Sequence, residues 1–367
     1  MERKRTRRHY FIDPQFQVRH IVGYAIFAAL CMAVVGSCGK REPPPTDVVP
    51  SPDLTIRVGI VFDAGGKDDR SFNTACWEGA VRAQKEFGIK LRDVEPGDPS
   101  VVESAIRGFA EQDFDLVIGI GGAAAPHIND VAREFPDKRF AVVDDAGKVV
   151  DQSNAVSLTF EEHKGSFLAG VIAAAKSETG IIGFIGGMDI PLIRKFELGY
   201  ERGAQYVNPD IKVLENYAGV TPAAWSDKTR GRELAMSQYD RGADVIFAAA
   251  GLTGLGVFDA AEETGRFVIG VDANQNYIKP GRVLTSMLKR SDIAVYETIE
   301  AVVTGTFRGG RRVMGLENDG VGYALDEYNR ELLTPDIIEK VEGAKRKILA
   351  GEIVVPDYTE LSAAAKL

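Results

Sequence analysis

Three aspartates and a lysine in this chain stand where an apolar run stops: Asp63 after RVGIVF, Asp144 after FAVV, Asp272 after IGV, and Lys289 closing LTSMLK. A charged side chain at the carboxyl end of a buried strand lies at the edge of an open α/β sheet where ligands bind. The loop after Asp63 also carries Phe72 and Asn73 in DRSFN; elsewhere Trp225 stands in AAWSDK ahead of a helix, and a glycine turn around Gly251 lies in AAAGLTGLG. The Asp63 carboxylate accepts hydrogen bonds, the Asn73 amide both donates and accepts, and the Phe72 face can stack, so these three suit a polar ring compound bearing hydroxyls. The Asp63 loop holds no nucleophile with a base beside it. Each residue also has a plainer reading: Phe72 as core, Asn73 as a first-turn residue, Asp63 and Asp144 as turn caps, Trp225 as a hydrophobic staple, Lys289 as a solvated lysine.

The surrounding elements must place these groups at strand ends. Ile56 to Phe62 has a buried strand's composition, Gly65 and Gly66 make a turn, and a helix follows from Phe72 to Phe87 with Ser71 as its expected N-cap. The alternation continues through strands at 90–94, 116–120, 140–143 and 155–158, with helices at 100–112, 125–135 and 161–176. A second series then starts, with strands at 181–185, 211–215, 245–248 and 267–271 and helices near 190–206, 226–241 and 255–264. Two such series predict an α/β protein of two Rossmann-like lobes, each with a parallel sheet, joined by a hinge. The expected division gives residues 55–176 and about 284–309 to the N-terminal lobe, and 177–283 and about 310–367 to the C-terminal lobe. Hinge crossings are expected near Lys176, Tyr277 to Leu284, and Gly309 to Leu316. Pro335 to Ala350 reads as an amphipathic helix and Ile353 to Val355 as a short closing strand.

GIGGAA, at Gly119 to Ala124, imitates a dinucleotide fingerprint. It follows the third strand of its half and lacks the acidic residue at ribose distance, so the glycines read as room for a ligand or for the neighbouring strand. AAAGLTGLG reads as the second lobe's counterpart of the Asp63 loop, with backbone N–H groups near Gly251 available to a ligand.

Composition bounds the rest. Residues 1–37 carry six Lys or Arg against two acids, whereas the whole chain has a net charge of −9, leaving about −13 on the remainder. Such an acidic body is a poor nucleic-acid binder. Cys31, Cys38 and Cys76 form neither a disulfide framework nor a zinc pattern, and the four histidines lack metal-ligand spacing. No metal or cofactor is expected. A basic start, a short apolar run from Ile21 to Val35, small residues and then Cys38 read as a lipoprotein export signal over 1–38, with Cys38 lipidated. An uncleaved anchor helix is the rival, and either way the body is exported. Proline-rich residues 39–54 read as a tether.

The string VGIVFDAGGKDDRSFNTACWEG resembles the opening signature of the basic membrane protein family, which includes purine nucleoside receptors. Asp63, Gly65, Gly66, Asp69, Ser71, Phe72, Asn73, Trp77, Glu78 and Gly79 fill the family pattern. EEHKGSFLAG, from Glu161, resembles a family helix; its small residues Gly165, Ala169 and Gly170 are read as allowing close packing. The resemblance implies a type I periplasmic binding protein with three crossovers. It also implies that Asp144 faces the ligand, that Trp225 and Phe72 stack on a base from opposite lobes, and that Asp272 and Lys289 bind ribose. The expected protein is a monomeric, lipid-anchored, exported receptor, not an enzyme, that delivers a nucleoside, with purines favoured, to an ABC permease and its ATPase. A membrane-anchored sensor of the same fold is the alternative.

Overall fold

The computed structural model describes residues 55–63, 65–145 and 152–364. The leader, Cys38 and the tether lie outside them. In chain order the described residues form β1 (Arg57–Val61), α1 (Phe72–Phe87), β2 (Lys90–Val94), α2 (Val102–Glu111), β3 (Leu116–Ile120), α3 (Ala125–Glu134), β4 (Arg139–Val143) and β5 (Ala155–Phe160). Then come α4 (Glu162–Lys176), β6 (Ile181–Met188), α5 (Pro191–Val207), β7 (Lys212–Gly219), α6 (Lys228–Asp240), β8 (Val245–Ala249), α7 (Gly254–Thr264), β9 (Phe267–Asp272) and β10 (Val283–Lys289). The chain closes with α8 (Ser291–Val303), β11 (Gly310–Met314), β12 (Val321–Tyr323), α9 (Pro335–Leu349) and α10 (Tyr358–Ala364).

Two six-stranded sheets result, ordered β11-β5-β4-β3-β1-β2 and β12-β10-β9-β8-β6-β7. All ladders are parallel except the antiparallel pair of β10 with β12. The same strand order in both sheets makes β4 and β9 equivalents, likewise β3 and β8. The loop after β8, at Gly251, is therefore the counterpart of the GIGGAA loop after β3 and not of the Asp63 loop, which follows β1. Central strands are buried along their length, as expected where helices cover both faces of a parallel sheet.

The lobe boundaries differ from the sequence expectation. Val283–Lys289 pairs with β9 in the second sheet, whereas Gly310–Met314 pairs with β5 in the first. Helix α4 leaves the first sheet at Phe160 and packs on α5 and β10 of the second lobe; α8 returns to pack on α1. The crossings therefore fall after Phe160, Lys289 and Met314, where strands end. The third lies within the expected Gly309 to Leu316; the first two fall elsewhere than expected, because α4 packs on the second lobe and Val283–Lys289 pairs with β9. Close packing explains the choice: a Cβ on Gly170 would collide with the Tyr200 carbonyl on α5, and one on Gly79 with the Asp292 carbonyl on α8. Ile353 to Val355 forms no strand; Val354 is 85% exposed.

Candidate functional site

The first lobe's contribution begins where β1 ends. The Asp63 carboxylate accepts the Gly65 N–H at 2.9 Å and the Asn73 Nδ2 at 2.7 Å, so it does close a turn while tying that turn to α1. Asp69, not Ser71, caps α1: its carboxylate accepts the N–H groups of Ser71, Asn73 and Thr74 at 2.8, 3.0 and 3.0 Å. Ser71 is freed for another partner. Gly121, at φ 86, lies against Asp63, where a Cβ would sit 3.2 Å from the carboxylate oxygen. Buried Asn73 Oδ1 has no hydrogen-bond donor among the described residues.

In the second lobe Trp225 ends a short 3₁₀ turn, Pro222–Trp225, and Asp227 caps α6 by accepting the Arg230 N–H at 2.9 Å. The indole lies flat enough on Gly187 that any Cβ there would overlap the ring. Gly251 turns at φ 54 beneath the Trp225 carbonyl, a left-handed conformation that suits glycine. Asp144 and Asp272, at the ends of β4 and β9, share the same left-handed backbone, φ 65 and 64.

Lys289 is only 2% exposed, which removes the solvated reading. Its ammonium pairs with Asp144 and lies 3.3 Å from Glu162 and 4.8 Å from the Phe72 ring centroid. Glu162 in turn pairs with Lys195 at 2.5 Å, and Lys195 donates to the Phe160 carbonyl at 2.8 Å. Burial opposes the Lys289 charge, but Asp144, Glu162 and Asp272 outweigh it and hold the group protonated far above neutrality. Burial pushes the Asp144 carboxyl up to about 6 despite Lys289, with Glu162 adding repulsion. Asp272 is pushed up to about 7, again chiefly by burial. Desolvation also raises Asp63. Asp144 Oδ1, like Asn73 Oδ1, has no donor among the described residues.

Asp63, Phe72, Asn73, Asp144, Trp225, Gly251, Asp272 and Lys289 all line one cavity of about 340 Å³ between the two sheets. Its apolar walls include Ile120, Ile193 and Phe196. Among the described residues no group of His, Cys, Asp or Glu could hold a metal ion, and no helix is long and apolar enough to cross a membrane. Sequence reasoning named Asp69 but gave its capping role to Ser71, and it missed the charges of Glu162 and Lys195. Lys195 carried a signal: it stands four residues before Gly199 and eight before Gly203, at the head of a small-residue seam that had to face another helix.

Two mainly parallel sheets of this order enclosing a cleft have the type I periplasmic binding fold. A solved solute-binding protein of an ABC transporter system from Aeropyrum pernix K1 superposes with a TM-score of 0.76 at 31% identity, covering 85% of this chain and 97% of its own. The family model described as ABC transporter substrate-binding protein PnrA-like matches residues 56–359, and the chain belongs to that family. Among curated relatives, the CD4+ T-cell-stimulating antigen of Listeria monocytogenes is 36% identical, over 88% of this chain and 94% of its own. The ABC transporter nucleoside-binding protein BmpA of Lactococcus lactis is 33% identical, over 92% and 99%. The protein is thus a solute-binding component of an ABC transporter, a class that binds its substrate without transforming it.

Proposed function

We propose that this protein captures a nucleoside, with purines preferred, and delivers it to an ABC importer from a lipid anchor at Cys38. The observation that carries the reading is the single cavity into which two aromatic residues from opposite lobes, Phe72 and Trp225, are gathered with four acidic or amide groups and one lysine. In this reading a flat heterocycle lies between the two rings, both of which line the cavity. The acceptors without donors, Asn73 Oδ1 and Asp144 Oδ1, call for a ligand rich in hydroxyl or amino hydrogens. Asp272 and Lys289 then bind the ribose diol, the carboxylate accepting and the ammonium donating. The name of the Lactococcus relative points the same way. Neither lobe holds the full set, so a ligand touching both favours closure, and the permease reads the closed faces.

Calorimetric titration with inosine, guanosine, adenosine, uridine and cytidine tests this. Purine nucleosides are expected to bind most tightly, and no binding by any of the five would end the nucleoside reading. Mass spectrometry of the membrane-extracted protein is expected to find diacylglycerol on Cys38 and no leader; an intact, unmodified N-terminus would end the anchoring reading.

A further inference from the structure

The two lobes also touch each other directly, through Ser71 and Gln275, which do not line the cavity, and through Asp272, which does. Ser71, in the first-lobe loop before α1, donates its hydroxyl to Asp272 Oδ2 at 2.6 Å and approaches the Val271 carbonyl at 3.3 Å, both at the end of β9 in the second lobe. Gln275 makes the reciprocal contact, donating from Nε2 to the Arg70 carbonyl at 2.8 Å. The direction of that amide is fixed by its other end. Its Oε1 accepts the Val271 N–H at 2.8 Å, so the nitrogen must face Arg70. Gly270 makes room for it, because a Cβ there would lie 2.5 Å from Oε1. Ser71 is fully buried and Gln275 nearly so, hence each contact is formed away from competing water. Arg70 holds a left-handed backbone at φ 59, costly for a non-glycine residue unless its surroundings enforce it. At the rim its guanidinium reaches Tyr277 OH at 3.3 Å.

We infer that Ser71 and Gln275 are positioning residues that clasp the two lobes, fixing Asp272 against the loop that carries Phe72 and Asn73. The sequence separation of about 200 residues excludes a purely local role. The clasp is protein-to-protein, so it holds whatever solute the cleft accepts and goes beyond the nucleoside reading. Part of the free energy of closure is then built into the chain. A ligand supplies the remainder, and its residence time depends on two side chains that it never touches.

The test is hydrogen exchange of the full chain in mild detergent without ligand, on wild type, Gln275→Glu, Ser71→Ala and Ser71→Thr. Gln275→Glu keeps the shape and the acceptor for Val271 but turns the donor at Arg70 into a second acceptor. In Gln275→Glu and Ser71→Ala, peptides over 69–76 and 271–278 are expected to exchange roughly 10-fold faster, the effect of losing one or two hydrogen bonds, while the interiors of β3 and β8 stay protected. Ser71→Thr retains a hydroxyl and is expected to restore wild-type protection. Inosine release, followed in stopped flow, is expected to accelerate by a similar factor in Gln275→Glu. Unchanged exchange in those two segments, acceleration spread equally over all peptides, or Ser71→Thr behaving like Ser71→Ala would each overturn the clasp. The exchange measurements decide the matter even if inosine does not bind, so the two readings fail separately.

Discussion

Asp144 and Asp272 are positional twins. Each follows the equivalent strand of its sheet, β4 or β9, each has its backbone in the left-handed region, and both face one cleft. Their partners differ: Asp144 is paired with the Lys289 ammonium, whereas Asp272 accepts the neutral Ser71 hydroxyl. The fold therefore presents one carboxylate neutralised by a cation and one held by a hydroxyl, an asymmetry with consequences for pH.

Burial lifts the Asp272 carboxyl to about 7 from an ordinary 3.8, with Lys289 and Ser71 pulling it partly back. The folded protein then binds this proton more tightly than the unfolded chain does. Its stabilising contribution is full below about pH 4 and disappears as pH rises through 7. Urea denaturation of wild type and Asp272→Asn between pH 5 and 8 is expected to show wild type gaining on the variant as pH falls. Glu215, also pushed up to about 7, is common to both proteins and cancels in the comparison. A difference independent of pH would show that Asp272 is not the titrating group.

Lys289 faces Asp144, Glu162 and Asp272; its removal takes the paired cation from buried Asp144 and the nearby one from Asp272, while Glu162 keeps Lys195. Lys289→Met is expected to cost about 3–5 kcal/mol of stability, the usual penalty for breaking a buried pair from one side. Asp144→Asn leaves Lys289 with Glu162 at 3.3 Å and is expected to cost clearly less. Denaturant midpoints of the two variants check the order, and both are expected to weaken nucleoside binding.

Much of this was legible in the chain. Strands β2 and β3 and helix α1 fall at the residues that periodicity and glycine turns indicated, because each is a strongly patterned segment with a clear stop. Asp63 and Asp272 were visible for the same reason, as charges ending apolar runs. The lobe assignment of β10 and β11 was not legible, since both lobes offer an edge strand to join and nothing local in VLTSMLK or GRRVM chooses between them. Glu162 and Lys195 were hidden because a buried charge is recognisable only through its partner, which lies 33 residues away (195 − 162) and on the other helix of the α4–α5 pair. Ser71 looked like a cap, and the side chain that displaced it, Asp69, stood only two residues before.

Helices α4 and α5 meet backbone to backbone. A Cβ on Gly199 would strike the His163 carbonyl, and one on Gly203 the Phe167 carbonyl. Gly203→Ala must push the helices apart and is expected to destabilise the protein by roughly 1–3 kcal/mol through overpacking. Because Lys195 and Glu162 sit at the head of this seam, the same shift is expected to loosen Lys289 and reduce ligand affinity. Thermal melts and titrations of the variant measure the two effects independently.

Trp225 offers the most direct probe of the cleft. Its indole rests on Gly187, so Gly187→Ala displaces the ring without removing it, while Trp225→Ala removes the platform altogether. If the indole stacks on a base, Trp225→Ala is expected to weaken binding by about 1–3 kcal/mol, the range for aromatic stacking on a nucleobase. Trp225→Phe keeps a smaller platform and is expected to lose only part of that. Gly187→Ala is expected to fall between wild type and Trp225→Ala, and to shift the tryptophan emission of the free protein because the ring's surroundings change. The other tryptophan, Trp77, lies on α1 outside the cleft lining and serves as an internal reference for that shift. Equal affinity for purine nucleosides in all four proteins would leave Trp225 as a staple ahead of α6 and remove one of the two plates from the cleft.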